Sequence, residues 1–185
     1  MSNETFAKLF IVHLRSGDTI SAQFNPTEFR ELFTVDYKNI EVSGLTFEPL
    51  EWDHTKSAKF SCELGFNAES AVGVTFGGSL SASTPSQAVA LCRRFLIACN
   101  YPSEAGAASN DIAPSPLLIV WPGFMSVVVR QLSVEFGHRE FSAFDGPSIF
   151  SAKLEWEAAP TRNVFYEDML SHGTILNDSS GSMLI

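Results

Sequence analysis

Residues 21–29 read SAQFNPTEF, and the fold turns on this stretch. Ile20-Ser21-Ala22-Gln23-Phe24 is strand-like in pattern. Asn25-Pro26 then stops it, because proline has no N–H for a ladder and Asn-Pro initiates turns. The polar pair Thr27-Glu28 leads on to Phe29. Working back, residues 6–14, FAKLFIVHL, are almost continuously apolar and bounded by Ser16-Gly17-Asp18. That predicts a strand buried on both faces, a hairpin turn, and a partner strand over residues 19–24. His13, inside the first strand, is expected to be a hydrogen-bonded core residue rather than a ligand.

Working forward, residues 31–42, ELFTVDYKNIEV, read as one further strand ending at Ser43-Gly44. In FEPLEWDHT, Pro49 argues against a central strand. Residues 59–66 alternate, with Phe60, Cys62, Leu64 and Phe66 inward and Lys59, Ser61 and Glu63 outward. The Gly/Ser-rich residues 71–83 read as a weak strand or a loop. A helix over 84–100 follows, with Thr84 as N-cap, Pro85 at its first position and Gln87 completing a capping box. Ala88, Leu91, Cys92, Phe95 and Cys99 form its apolar face. Cys92 and Cys99 would lie about 10 Å apart along it, too far for a disulfide. After a loop over 101–116 come LLIVW, a Pro122-Gly123 turn and a long strand, FMSVVVRQLSVEFG, with room for a bend. A last strand points Phe150, Ala152, Leu154, Trp156 and Ala158 inward and ends at Pro160. The sum is a mainly β domain over 1–160, a sandwich or barrel with one amphipathic α-helix, followed by a C-terminal extension over 161–185.

The net charge is −9, so phosphate-backbone binding by counterion release is disfavoured. The 16 phenylalanines suit packed pleated sheets. Cys62, Cys92 and Cys99 have no framework spacing and read as buried thiols in a reducing compartment. No leader and no membrane-length apolar run is read. Ser148 lacks a nucleophile elbow, GVTFGG lacks the lysine of a phosphate loop, and His13, His54, His138 and His172 share no ligand spacing. Asp53 and His54, as strand neighbours, should face opposite ways, and Glu48, Glu51 and Asp53 read as a solvated acidic loop. No catalytic residue, metal site or cofactor is read, and an enzyme is not expected.

FNPTEF at residues 24–29 resembles the hallmark turn of the tube-protein family of contractile injection systems, which follows a short N-terminal hairpin. SGLTFEPLEW, SAKFSCELGF, the helix, PLLIVWPG with its buried Trp, FMSVVVRQLSVEF and SAKLEWEA continue the likeness in order, over roughly residues 5 to 160. The resemblance implies a tail-tube β-sandwich or barrel assembling as a hexameric ring. It implies a structural adaptor, or tube initiator, between the central hub-spike protein and the first ring of the inner-tube protein. The setting implied is the baseplate of a phage tail or injection-system particle assembled in the bacterial host cytoplasm. Wedge proteins would surround it, DNA or effector would pass without specific binding, and no membrane is involved. Relatives often carry a LysM module, for which residues 161–185 are too few.

Asn25, Pro26, Glu28 and Phe29 are candidate assembly residues, with a turn needed only for folding as the other reading. Phe165, Met169 and Leu170 make the extension a candidate arm for a neighbouring protein, with packing on its own domain as the alternative. A different class of function stays open beside these: a soluble β-barrel that binds a small apolar ligand in a phenylalanine-lined cavity.

Overall fold

The computed structural model describes residues 7–41, 43, 48–69, 74–102, 113–142 and 146–159. Its N-terminal hairpin pairs β1 (Phe10–His13) with β2 (Thr19–Ser21). Gly17 turns the chain at φ 74°, a region that costs a glycine little. His13 is half-buried, its Nδ1 lying 2.9 Å from Ser16 Oγ in the turn. Leu9 and Ile11 are fully buried, but Phe10 and Val12, on the other face, are only half-buried. The expectation of burial on both faces is therefore corrected: this strand belongs to one curled layer, and only the inside of the curl is sealed.

Eight antiparallel strands form the main sheet. Its order is β3 (Phe29–Leu32), β6 (Lys59–Asn67), β10 (Gly146–Ala158), β9 (Met125–Ser142), β8 (Leu117–Trp121), β1, β2 and β7 (Phe76–Gly77). A separate two-stranded ribbon pairs β4 (Val35–Asn39) with β5 (Leu50–Thr55). The single strand expected over 31–42 is thus two. The break falls at Phe33-Thr34, where the Lys56 N–H donates to the Thr34 carbonyl at 2.9 Å and both ribbon strands leave the sheet together. The fold is mainly β with a single helix among the described residues.

Beyond β2, the side chain of Gln23 does what a ladder would. Its Nε2 donates to the Asn67 carbonyl at 2.9 Å, and its Oε1 accepts from the Asn67 N–H at 2.7 Å. The sheet thus curls until the chain leaving its seventh strand meets the end of its second.

β9 carries the bend. Its register against β10 shifts between Glu155 and Trp156: Glu155 faces Ser133, Trp156 faces Gln131, and Leu132 is the extra residue. Such a bulge twists a strand and reverses its alternation. Val127 and Val129 are buried before it, whereas Val134 and Phe136 carry the inward positions after it. Along β10, all five residues expected inward are buried.

Helix α1 (Pro85–Ala98) packs into the curl. Thr84 Oγ1 accepts from the Gln87 N–H at 3.2 Å, as an N-cap should. Gln87 Oε1 reaches one residue further back than a capping box predicts, to Ser83 Oγ at 2.7 Å and the Ser83 N–H at 3.3 Å. The buried face runs through Val89, Cys92, Phe95, Leu96 and Cys99. Ala88 and Leu91, expected at its centre, are its margins, because the helix is rotated slightly toward Leu96. All three cysteines are free and buried, and burial pushes each thiol up to about 12.

The β1–β2 turn is tied to the segment after β7. Asp18 Oδ1 accepts from Ser79 N–H at 2.8 Å and Ser79 Oγ at 2.7 Å, and Asp18 Oδ2 accepts from Ser16 Oγ at 2.8 Å. Desolvation pushes Asp18 upward, but these hydrogen bonds outweigh it and hold the carboxyl below its usual range.

Two outcomes are expected. Phe95→Ala should destabilise the domain by about 3–5 kcal/mol, as for a buried Phe, read from the shift of its urea midpoint. An unchanged midpoint would remove the helix face from the core. A depressed carboxyl stabilises fully above its unfolded pKa of about 4 and loses that contribution as pH falls through the folded value. Asp18→Asn should therefore lower the melting temperature at neutral pH, and the gap from the native chain should close on acidification.

Candidate functional site

The Asn-Pro turn is where the sequence placed its most specific signal, and the structure shows how it is used. Proline confines the residue before it to extended backbone. Asn25 then engages the strand edge preceding β1 with both ends of its amide. Its Oδ1 accepts from the Leu9 N–H at 3.1 Å, and its Nδ2 donates to the Ala7 carbonyl at 2.8 Å. The Leu9 carbonyl is already taken by the Ala22 N–H at 2.7 Å. Asn25 therefore extends the hairpin one step past the end of β2. Only an amide can donate and accept in this position; a carboxylate lacks the donor.

The Ala7 carbonyl accepts a second bond, from Trp121 Nε1 at 3.1 Å. This brings the end of β8 to the same point. Phe29, the first residue of β3, sits among Phe60, Trp121 and Phe124 at centroid distances of 6.1, 6.1 and 6.0 Å. Trp121 and Phe124 meet edge to face at 5.4 Å. Edge-to-face packing is the favoured geometry for such rings. The motif is a clasp: Asn25 holds the N-terminal strand, and Phe29 packs against the indole that holds it too. Trp121 is only half-buried, which corrects the expectation of a buried Trp there; the fully buried indole is Trp156 on β10.

Pro26 is half-buried, Phe24, Thr27 and Glu28 are exposed, and Glu28 is paired with Arg30 at 2.7 Å. The hydrogen bond from Arg30 holds the Glu28 carboxyl below its usual range. Phe165, Met169 and Leu170 lie outside the described residues. The sequence did not single out Gln23 or the Trp121 indole N–H as partners in this closure. A buried glutamine beside a strand end has no periodic signature.

The charged residues of the ribbon gather on one face. Lys38 Nζ lies 2.6 Å from Asp53, Lys56 Nζ 2.8 Å from Asp36, and His54 3.2 Å from Asp53 and 3.7 Å from Asp36. Asp53 and His54 were expected on opposite faces. A register shift between Asp36 and Tyr37 leaves Asp53 as the extra residue, so both reach the same side. Each of these aspartates is thus paired with a lysine ammonium. Among the described residues no group of three or more His, Cys, Asp or Glu side chains is arranged to hold a metal. No helix among them is long and apolar enough to cross a membrane. Inside the curl, Phe66 and Phe150 stack at 4.7 Å and Phe136 meets Phe150 at 5.7 Å.

No protein-family model and no curated protein matches the chain. Solved structures similar in trace include two chains of gene transfer agent particles. One is a chain in the tail of an empty gene transfer agent particle, determined with C6 symmetry: TM-score 0.40, 10% identity, covering 89% of this chain and 99% of that one. The other is a chain in the virion of a native gene transfer agent particle: TM-score 0.36, 10% identity, covering 86% and 95%. Likenesses this distant carry no argument about what this chain does.

The clasp predicts a graded response. Asn25→Ala should cost about 1–2 kcal/mol, for two partly exposed hydrogen bonds. Asn25→Asp should cost at least as much, because it loses the donor and sets a charge beside the Ala7 carbonyl. Glu28→Gln should leave the denaturation midpoint unchanged, since exposed pairs contribute little. Equal midpoints for the Asn25 variants and the native chain would remove the clasp.

Proposed function

We propose that this chain is a structural subunit of a phage-tail-like particle. It forms a hexameric ring in the baseplate and joins the central hub-spike to the first ring of the inner tube. The observation that carries this reading is the FNPTEF clasp. It closes a short N-terminal hairpin, the position in which the resemblance to the tube-protein family expects its hallmark turn.

The architecture suits the role. A ring subunit needs a stiff curled sheet and edges that neighbours can use, not reactive groups. Among the described residues β3 pairs only with β6, so its other edge is open. Open edges are hazards in a monomer and useful joints in a closed ring. Asn25 and Phe29 shape the edge strand, while Phe24 and Glu28 of the motif, with Arg30 beside it, are exposed groups that a neighbour would meet. The net charge of −9 favours a lumen through which DNA or an acidic effector passes without adhering. Surrounding wedge proteins are the remaining partners, in a virion or injection-system particle assembled in the host cytoplasm.

A cryo-EM reconstruction of the parent particle tests this reading. Six copies in one ring on the tail axis, between spike and tube, are expected. Three copies, or a position off the axis, would overturn it.

A further inference from the structure

The β4–β5 ribbon leaves an apolar face open. Its register sets Val35, Tyr37, Leu50 and Trp52 on one face, against the charged network on the other. The Asp36 and Asp53 side chains in that network are only 34% and 30% exposed. Tyr37, Leu50 and Trp52 are 57%, 67% and 61% exposed. Lys38, His54 and Lys56 in the network are 68%, 54% and 49% exposed, so both faces are open, and the apolar one presents large side chains to solvent. A two-stranded ribbon is marginal on its own, and a contiguous exposed apolar face is a docking site or an aggregation hazard.

We propose that the cover of this face is residues 163–170 of the same chain, NVFYEDML. Three observations point there. The first is position: the Ala158 N–H donates to the Ala58 carbonyl at 2.7 Å, and only Lys56 and Ser57 separate Ala58 from the end of β5. The chain therefore passes beyond the described residues beside the base of the ribbon. The second is reach: at about 3.3 Å per extended residue, Val164 can lie up to ~16 Å and Leu170 up to ~36 Å from Ala159, and β5 is ~20 Å long. The segment is therefore long enough to run the length of the ribbon. The third is chemistry: Val164, Phe165, Met169 and Leu170 supply apolar groups for Tyr37, Leu50 and Trp52. The contact is intrachain and does not rest on the ring reading, so it is tested on the isolated full chain.

The test is amide hydrogen exchange on the full chain and on Phe165→Ser/Met169→Ser/Leu170→Ser. In the variant, the amides of residues 35–39 and 50–55 should exchange about tenfold faster or more, while those of β6, β9 and β10 keep their rates. The native protection should be the same at two protein concentrations. The reciprocal variant, Leu50→Ser/Trp52→Ser, should make residues 163–170 more readily cut by protease. Ribbon exchange indifferent to the triple substitution would overturn the proposal. So would protection that rises with protein concentration, which would make a second copy the cover. Faster exchange throughout the main sheet would place the segment in the core instead and also overturn it.

Discussion

A curled sheet has two ends that must be held together, and backbone ladders alone do not do it here. The joint is the buried side-chain amide of Gln23, bonded through both its oxygen and its nitrogen to the backbone of Asn67. A buried polar group that is fully paired stabilises, whereas the same group left unpaired costs about 1–3 kcal/mol. Closure is therefore close to all-or-none: the amide must find Asn67 or give up its burial. Once it is made, the interior exists. Trp156, Phe66, Phe150 and Leu154 have a sealed side to face, and the helix has a cavity to fill.

Asn25 repeats the device two residues later, along the strand edge preceding β1. One amide closes the curl, and the next fastens the N-terminal strand beneath Trp121. The two lie on either side of Phe24, so a short stretch of chain fixes both the circumference of the sheet and the place where its first strand begins. This gives the turn a reason to be specific. Many sequences turn a chain; few supply two amides and an aromatic at this spacing.

The parts legible in the sequence were those with a period. Phe60 to Phe66 and Phe150 to Ala158 alternate because one face meets the core, and their burial follows the pattern residue by residue. The helix was legible because Thr84-Pro85 punctuates its start. What escaped was aperiodic. The split at Phe33-Thr34 has no glycine or proline to announce it; it is set by the Lys56 N–H arriving from a distant part of the chain. The bulge that brings Asp53 and His54 to one side cannot be read from alternation, because it is a failure of alternation. In the candidate site, the turn itself was visible, but the partners of Asn25 at Ala7 and Leu9 depend on the hairpin's register and became definite only in three dimensions.

The extra residue at Leu132 has a bearing on how this sequence can change. β9 is in effect two strands written in opposite phase and joined at one letter. Ahead of the joint, odd-numbered positions belong to the interior; after it, even-numbered ones do. A substitution on either side is judged by its own half. A single-residue insertion or deletion anywhere else in the strand would turn one half inside out, exchanging Val134 and Phe136 for Glu135 and Gly137. At the joint, loss of Leu132 would be read differently: Gln131 and Ser133 would become neighbours, both halves would keep their faces against β10, and the strand would lose its bend. Away from that joint, length in this strand is constrained more tightly than composition, and variation should enter it by replacement rather than by change of length.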